Sequence, residues 1–293
     1  MLEVRNLTRR YGDNVAADDI SFEVPRGQMI GFVGGNGAGK TTTMRMVMGL
    51  LAPDAGEVRW DGHPATMEDR SHFGYMPEER GLYPKQPILD QLVYLARLKG
   101  ATTSDARLEA VDILTRFGLG ERTKDKLEKL SLGNQQRVQI AAAVMANPTC
   151  LILDEPFSGL DPAAIDEMAD LLRARASDGI PVLFSSHQLE LIDRLCDGLV
   201  ILSRGRVVAN GSKADLEGRG RLRHRLVAST DVGWVRDLRG VQVDDVAGHT
   251  AIVEFLEEGA QRALLEEALR RGEVYELGRL RPSLSEIYRE VTA

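Results

Sequence analysis

The sequence predicts an α/β protein followed by a smaller α+β part, and three observations indicate this. Between residues 29 and 49 an apolar stretch leads into a glycine-rich loop and then into apolar residues at helical spacing. Between residues 150 and 202 short apolar runs alternate with helical patterns, as in a parallel sheet covered on both faces. The composition changes to Gly, Lys, Arg and Asp at residues 211–220. We therefore expect one domain at 1–215 and an accessory domain at 216–293.

An antiparallel β subdomain is predicted around the glycine-rich loop. Residues Leu2–Leu7 and Ile20–Val24 are rich in apolar side chains and flank the polar turn Tyr11–Asn14. Further short strands are predicted at Gly56–Trp60 and His72–Met76.

The glycine-rich loop fits the pattern G-x-x-x-x-G-K-[ST] at every fixed position. In such loops the backbone N–H groups and the positive end of the following helix bind phosphates, while Lys40 can reach the β- and γ-phosphates. Thr41 would supply a hydroxyl to Mg²⁺. The alternative, a flexible turn, is disfavoured by the order strand, loop, Lys-Thr and helix. The predicted nucleotide-binding residues of the loop are Gly34, Gly35, Asn36, Gly37, Ala38, Gly39, Lys40, Thr41 and Thr42.

A mostly helical subdomain is predicted at residues 85–147. The stretch Ile88–Gly100 is amphipathic, and a second helix is expected at Ser104–Phe117 with Ser104 as its N-cap. Ser131 is expected to begin a third helix.

Two acidic residues follow a buried strand in the next part of the chain. Asp154 and Glu155 come after the strand Cys150–Leu153, at the end of the strand where parallel sheets bind ligands. Asp154 could hold Mg²⁺, and Glu155 could deprotonate the water that attacks a γ-phosphate. His187 similarly follows the strand Val182–Phe184 and could hydrogen-bond the γ-phosphate, although a lone histidine there is more often a surface or capping residue.

The remaining elements complete the first domain and form the second. The first domain should end with the helices Ala163–Ala176 and Gln188–Leu195 and the strand Leu199–Leu202. The second domain is predicted to be a ferredoxin-like βαββαβ sandwich with a final helix. Its elements are expected at 222–228 (strand), 231–238 (helix), 241–246 and 250–256 (strands), 259–270 (helix), 273–279 (strand) and 283–291 (helix).

Composition argues against several classes of protein. The net charge of -7 argues against a nucleic-acid surface, and in the basic run 219–225 arginine alternates with leucine, which favours a solvated strand face. Cys150 and Cys196 lack metal-ligand spacing and are interpreted as buried thiols in a reducing compartment. The longest apolar run, 140–146, is far short of the about 20 residues that a spanning helix needs. The polypeptide is not expected to cross a membrane by itself.

The order of the motifs resembles the ATP-binding subunits of ABC transporters, whose fold is a P-loop NTPase cassette. Residues Leu130–Gln136 (LSLGNQQ) resemble the signature LSGGQ. Asp154-Glu155-Pro156 resembles the Walker B motif, Ser158–Pro162 the D-loop with Asp161, and His187 the H-loop. This resemblance covers residues 1 to about 215.

The resemblance implies binding of ATP with Mg²⁺ by a head-to-tail homodimer or heterodimer. Each ATP would lie between the phosphate loop of one subunit and the signature of the other, with Ser131, Gly133 and Gln135 acting across the interface. Tyr11 would stack on adenine.

Four residues depart from the family pattern, in three of its motifs. Gly35 stands where proline is common, and Leu132 and Asn134 replace residues of LSGGQ. Glu78 stands where the family carries the glutamine of the Q-loop. Its carboxylate can still accept a hydrogen bond from Mg²⁺-bound water, but it adds negative charge near the triphosphate.

A narrower resemblance concerns ABC-2-type exporters similar to sodium or drug efflux systems. It rests on the run Pro77–Pro84, the signature and the ending Pro282–Tyr288. It implies a multi-spanning membrane permease, contacted by the loop Glu78–Pro84 and the helical subdomain, with this chain peripheral on the cytoplasmic, inner face of the cell membrane.

The leading hypothesis is therefore an ATPase that drives export. A soluble cassette ATPase acting on nucleic acid or ribosomes is a second possibility, disfavoured because neither a second cassette nor a coiled coil between Lys40 and Ser131 is present. A module that binds ATP without hydrolysing it is a third: the intact Glu155 and His187 count against it, but Glu78 at the Q-loop position keeps it open.

Overall fold

The computed structural model describes residues 1–79, 81–219, 222–280 and 283–292. These residues form two compact units, one ending at residue 213 and the other beginning at residue 214. Parts of three predicted features lie outside the described residues: Arg80 in the run Pro77–Pro84, Gly220 and Arg221 in the basic run, and Pro282 before the final helix.

Ten strands, seven α-helices and two short 3-10 helices are described in the first unit. The strands are β1 Leu2–Tyr11, β2 Asn14–Val24, β3 Met29–Gly34, β4 Ala55–Trp60, β5 His63–Pro64, β6 Phe73–Met76, β7 Cys150–Leu153, β8 Val182–Ser185, β9 Gly198–Ser203 and β10 Arg206–Ser212. The helices are α1 Lys40–Val47, α2 Met67–Ser71, α3 Ile88–Leu98, α4 Thr103–Arg116, α5 Leu132–Val144, α6 Pro162–Ser177 and α7 Leu189–Leu195.

The predicted antiparallel subdomain is a four-stranded sheet in the order β2-β1-β4-β5. Tyr11 pairs with Asn14 across the hairpin, and Gly12 in the turn has a φ of 59°, a conformation that glycine adopts without steric cost. Buried and exposed side chains alternate along the second half of β2, as a half-covered sheet requires, whereas Leu2, Glu3 and Val4 at the start of β1 are all buried. The strands predicted at Leu2–Leu7, Ile20–Val24 and Gly56–Trp60 are confirmed and are longer than expected, whereas the strand predicted at His72–Met76 begins at Phe73 and lies in the six-stranded sheet.

The six-stranded sheet that carries the phosphate loop has the order β10-β9-β3-β8-β7-β6. Strands β3, β6, β7, β8 and β9 run parallel, and β10 pairs antiparallel with β9 at the edge. Residues of β3, β7 and β8 are buried throughout, which explains their continuous apolar sequences. Strand β10 was not predicted, because exposed and half-buried residues alternate along it and its sequence is only half apolar.

The helical subdomain confirms three predicted helices and corrects one cap. Helix α4 begins one residue earlier than predicted, and its N-cap is Thr102 instead of Ser104. The reason is geometric: Thr102 has an extended backbone and its Oγ1 accepts a hydrogen bond from the Asp105 amide at 3.2 Å. Ser131 caps α5 as expected.

The second unit contains a four-stranded antiparallel sheet and three helices. Its strands are β11 Arg223–Ala228, β12 Val241–Ala247, β13 Thr250–Phe255 and β14 Val274–Leu280, and its helices are α8 Lys213–Arg219, α9 Ala260–Arg271 and α10 Leu284–Thr292. The sheet order is β12-β13-β11-β14. Leu226, Val253 and Leu264 lie in its apolar core, between the sheet and α9.

The prediction of a helix at 231–238 is wrong, since only a short 3-10 helix forms there, at Gly233–Asp237. The Asp231 side chain accepts a hydrogen bond from the Gly233 amide at 2.8 Å, a local turn that competes with a regular helix start. Among the described helices of both units, none is long and apolar enough to span a bilayer.

Candidate functional site

The phosphate loop joins β3 to α1 in a conformation that only glycine allows at Gly39. This residue has a φ of 99°, and a Cβ built on it would lie 2.3 Å from the carbonyl oxygen of Ala16. The Lys40 ammonium donates to the carbonyl oxygens of Gly34 at 2.7 Å and Gly35 at 3.3 Å. The lysine is thus held over the loop, where a phosphate bound to the loop amides would meet its charge.

A cavity of about 410 Å³ opens above this loop. Its volume falls in the usual range for small-molecule sites, about 300–1,000 Å³. Of the residues predicted from the loop motif, all but Gly34 line it. The lining residues are Tyr11, Asn14, Ala16, Gly35, Asn36, Gly37, Ala38, Gly39, Lys40, Thr41, Thr42, Glu78, Asp154 and Glu155.

The Tyr11 ring lies at the edge of the cavity and is supported by an arginine. The guanidinium carbon of Arg9 is 5.1 Å from the ring centre, and Arg9 in turn donates to Asp54 Oδ1 at 2.7 Å. Arg9 does not line the cavity, whereas Tyr11 does. The aromatic ring is therefore available to a purine base.

Asp154 and Glu155 are joined by a serine from the neighbouring strand. Asp154 is only 1% exposed, and its Oδ1 accepts a hydrogen bond from Ser185 Oγ at 2.5 Å. Ser185 Oγ accepts from the Glu155 amide at 2.7 Å. None of the sequence motifs indicates a role for Ser185. Its position in the sequence could have indicated this role. Ser185 ends β8, and the end of β8 lies beside the end of β7 because the two strands pair in parallel.

The oxygen atoms around Asp154 fit a Mg²⁺ ion bound together with phosphates. Asp154 Oδ2 is buried and has no hydrogen-bond partner within the described part of the chain. Thr41 Oγ1 donates to Glu78 Oε2 at 3.3 Å, and both residues line the same cavity as Asp154. Residues 1–79, 81–219, 222–280 and 283–292 contain no cluster of three or more His, Cys, Asp or Glu suited to a metal. Mg²⁺ is commonly held by one or two carboxylates plus substrate phosphates, which agrees with this sparse set.

Glu155 and His187 lie in direct contact. His187 Nδ1 is 3.0 Å from Glu155 Oε2. Glu155 is the more buried partner, with 15% of its side chain exposed against 63% for His187. Burial raises the pKa of the Glu155 carboxyl above its usual value, and the neighbouring His187 and Lys40 oppose this shift. The arrangement suits a proton acceptor that is partly shielded from water.

The signature residues lie on the first turn of α5. Ser131 Oγ accepts a hydrogen bond from the Asn134 amide at 3.4 Å. A Cβ on Gly133 would lie 3.1 Å from the Gly159 carbonyl, so this turn packs against the D-loop. Gln135 is buried, and its Nε2 donates to the Leu130 carbonyl at 2.9 Å. Its side chain is therefore directed into the subdomain and not toward solvent.

The signature and the D-loop do not line the cavity over the phosphate loop of the same chain. Ser131, Gly133, Gln135 and Asp161 are absent from its lining. Asp161 instead caps α6, accepting from the Ala164 amide at 2.8 Å. A second cavity of about 370 Å³ lies between the signature helix α5 and the acidic residues Glu78 and Glu155. It is lined by Asn36, Glu78, Leu132, Gln136, Glu155, Ser158, Gly159 and His187.

Comparison with known proteins assigns the two units to characterised sequence families. Residues 17–158 match the family described as "ABC transporter", and residues 217–292 match the C-terminal domain of ATP-binding proteins like DrrA1-3. An uncharacterised ABC transporter ATP-binding protein, YhaQ of Bacillus subtilis strain 168, is 44% identical over 217 residues, covering 74% of this chain and 73% of that protein. The chain belongs to the ATP-binding subunits of ABC transporters. It is an ATP-binding ATPase of that family.

Other relatives of this ABC subunit extend the match. The daunorubicin/doxorubicin resistance ATP-binding protein DrrA of Streptomyces peucetius is 32% identical, covering 99% of this chain and 92% of that protein. A solved ATP-binding subunit of an ABC transporter is 33% identical, with a TM-score of 0.70 over 75% of this chain and 92% of that chain. A dimeric bacterial ABC transporter cassette, 24% identical, has a TM-score of 0.67 over 72% of this chain and 98% of that chain and shares the fold. The predicted cassette fold and family are confirmed.

Proposed function

We propose that this ABC subunit hydrolyses ATP in a site shared by two subunits and thereby energises export through a separate membrane permease. The observation that carries the proposal is the convergence of three motifs at one edge of the parallel sheet. The phosphate loop follows β3, Asp154 and Glu155 follow β7, and His187 follows β8. Ligands of parallel sheets bind at this carboxyl edge.

In the proposed reaction the chain supplies binding groups and a base. The loop amides and Lys40 bind the phosphates, and Tyr11 stacks on the adenine ring. Thr41, Asp154 and Glu78 would hold Mg²⁺, which when bound neutralises charge on the phosphates. Glu155 accepts the proton of the attacking water.

His187 has the complementary role in this reaction. Its side chain is 63% exposed, and its Nδ1 is in hydrogen-bond contact with Glu155. The imidazole would donate a hydrogen bond to the γ-phosphate. A hydrogen bond aimed at the transferring group stabilises the charge that develops there.

The shared site is proposed because one chain leaves it incomplete. Ser131 and Gly133 stand at a helix N-terminus, which favours an anion, yet they do not line the chain's own ATP cavity. In a head-to-tail dimer they would close over the γ-phosphate held by the partner, and Asp161 would lie at the interface. The dimeric cassette that shares this fold supports such an arrangement. The pair can be a homodimer or a heterodimer.

Export is proposed from the names of two relatives. DrrA is named for daunorubicin/doxorubicin resistance. LnrL of Bacillus subtilis, named for linearmycin resistance, is 35% identical over 74% of this chain and 70% of that protein. We place the subunit in the cytoplasm, peripheral on the inner face of the membrane. The loop Glu78–Pro84 and the helical subdomain 85–147 would contact the permease.

The division of the chain into two domains is also a proposal, supported by a sequence match. Residues 1–215 would form the ATP-binding domain and residues 216–293 the accessory domain. The match of residues 217–292 to a DrrA-like C-terminal domain supports it.

The role of Glu155 is tested by Glu155→Gln, which keeps the size of the side chain but removes the base. We expect steady-state ATP turnover to fall at least about 100-fold, as removal of a general base does. ATP binding should persist. Glu190→Gln, an exposed residue of α7, is the control and should hydrolyse ATP normally. A smaller loss in Glu155→Gln would remove Glu155 from this role.

The export role is tested by affinity purification of the tagged subunit from detergent-solubilised membranes. A multi-spanning protein should co-elute in equal amount. Recovery of the subunit alone, or with ribosomes or nucleic acid, would contradict the assignment to a transporter.

A further inference from the structure

Gln136 joins helix α5 to the backbone of the residue that carries the proposed base. Its Nε2 donates to the carbonyl oxygens of Glu155 and Pro156, each at 3.0 Å. Gln136 is only 8% exposed, so these hydrogen bonds are shielded from water. One amide group thus bridges two consecutive carbonyl groups. Gln136 ends the signature run LSLGNQQ, and the family resemblance implies no role for it.

The backbone of Glu155 needs such support because its conformation is unfavourable. Glu155 has a φ of 50°, in the left-handed region that residues other than glycine seldom adopt. Such residues persist only where the surroundings over-determine them. Here the Glu155 amide donates to Ser185 of β8, while its carbonyl accepts from Gln136 of α5 and from the Ser158 amide at 3.2 Å.

We propose that Gln136 is a positioning residue for ATP hydrolysis, acting through the backbone of Glu155. Together with Ser185 it fixes the peptide groups on both sides of the Glu155 Cα, so that the carboxylate is directed into the cavity. The proposal rests on the proposed role of Glu155 as the base. It also has a consequence for the shared site. Because Ser131 caps the same helix, a displacement of the signature would reach the chain's own Glu155 through Gln136.

The primary test compares Gln136→Glu and Gln136→Leu, which remove the donor while keeping a similar volume. We expect kcat to fall about 10- to 100-fold, as small misplacements of a catalytic group do. The KM for ATP should stay within two-fold of the wild type. Gln139→Leu is the matched control, since Gln139 is also buried on the same helix, at 4% exposure, but its Oε1 accepts a hydrogen bond from the Gly81 amide. Its kcat should change less than two-fold.

A second arm asks whether Gln136 acts through Glu155. In a Glu155→Gln background, adding Gln136→Leu should cause no further loss of turnover, because the positioned base is already gone. A multiplicative loss in the double variant, or a raised KM in the single variants, would overturn the proposal. Thermal melting establishes that each variant is folded. If Gln136→Leu does not fold, Gln136→Glu is used in its place.

A third arm does not depend on activity. Amide hydrogen exchange of the segment 155–160 should be at least ten-fold faster in Gln136→Leu than in the wild type and unchanged in Gln139→Leu, since the Ser158 amide is bonded to the Glu155 carbonyl. If Glu155→Gln retains turnover, the proposed base is wrong, and exchange alone decides whether Gln136 holds this loop. Normal kcat together with normal exchange in both Gln136 variants would refute the positioning role.

Discussion

His187 Nδ1 and Glu155 Oε2 are 3.0 Å apart, so the H-loop histidine contacts the proposed base directly. Burial raises the pKa of Glu155, while His187 opposes that rise by charge and by hydrogen bonding. The proton affinity of the Glu155 carboxylate therefore depends on His187, which follows the neighbouring strand. The contact connects the geometry of the sheet edge with the pH range in which the base is ionised.

Replacing His187 should shift the acidic limb of the activity profile. In His187→Gln the opposing influence is lost, so the pKa of Glu155 rises further. A base must be deprotonated to act, and the acidic limb of kcat/KM should therefore move to higher pH, in addition to a general loss of turnover. The measurement is kcat/KM from pH 5 to 9. His72→Gln, an exposed histidine, should leave the midpoint unchanged. An unshifted midpoint in His187→Gln would disprove the coupling.

Asp154→Asn should weaken metal binding. Asp154 Oδ2 is the buried oxygen without a hydrogen-bond partner in the described residues, and an amide there is a much poorer Mg²⁺ ligand. Ser185→Ala should also weaken binding, by about 10- to 100-fold, because it removes the donor that orients Asp154. Titration of Mn²⁺ with a non-hydrolysable ATP analogue, followed by electron paramagnetic resonance, measures both effects. Asp178→Asn, at an exposed helix end, is the control. Equal affinity in Asp154→Asn and wild type would argue against this ligand.

Glu78→Gln should change how the site binds ATP without metal. Glu78 lines the cavity and adds negative charge near the triphosphate. Removing that charge should tighten binding of ATP in EDTA by about two- to ten-fold, the range expected for a partly solvated pair of charges. Fluorescence titration with a labelled ATP analogue measures the dissociation constant. Glu79→Gln, an exposed neighbour outside the cavity lining, should have no effect. Weaker or unchanged binding in Glu78→Gln would contradict the electrostatic role.

Tyr11→Ala should raise the KM for ATP by about ten-fold while kcat at saturation stays near the wild-type value. Stacking of a base on an aromatic ring contributes about 1–3 kcal/mol, and the purine ring takes no part in the chemistry. Tyr11→Phe keeps the ring and should bind ATP normally. If Tyr11→Phe is as impaired as Tyr11→Ala, the hydroxyl and not the ring face matters.

Gly74→Ala should destabilise the first unit. A Cβ at this position of β6 would lie 2.1 Å from the Ala143 carbonyl oxygen and 2.6 Å from Leu151 Cδ2. Helix α5 must move away from the sheet, which should lower the free energy of unfolding by about 1–3 kcal/mol. Urea unfolding followed by circular dichroism measures it. Gly218→Ala in helix α8 is the control, because no atom apart from its chain neighbours and its own helix backbone lies within 4 Å of the added methyl group, and alanine is the better helix former. Equal stability of the two variants would show that α5 adapts freely.

Local patterns predicted most of the first unit but not its edges. Strands β3, β7 and β8 are continuous apolar runs, and their bounds follow from burial on both faces. Strand β10 has only one shielded side, so its sequence resembles a loop. In the second unit, Gly233–Asp237 has helix-like apolar spacing, but the Asp231 turn and the glycine prevent a regular helix.

The sequence by itself determined the phosphate loop, the acidic pair after β7 and the family. These are encoded in short contiguous motifs whose residue types the chemistry requires. Only the tertiary structure decided which polar side chains support them. Ser185 reaches Asp154 across 31 positions of the chain, and Gln136 reaches Glu155 across 19. A serine or a glutamine carries no local signal for such a role. Which donor faces which acceptor depends on how strands and helices pack.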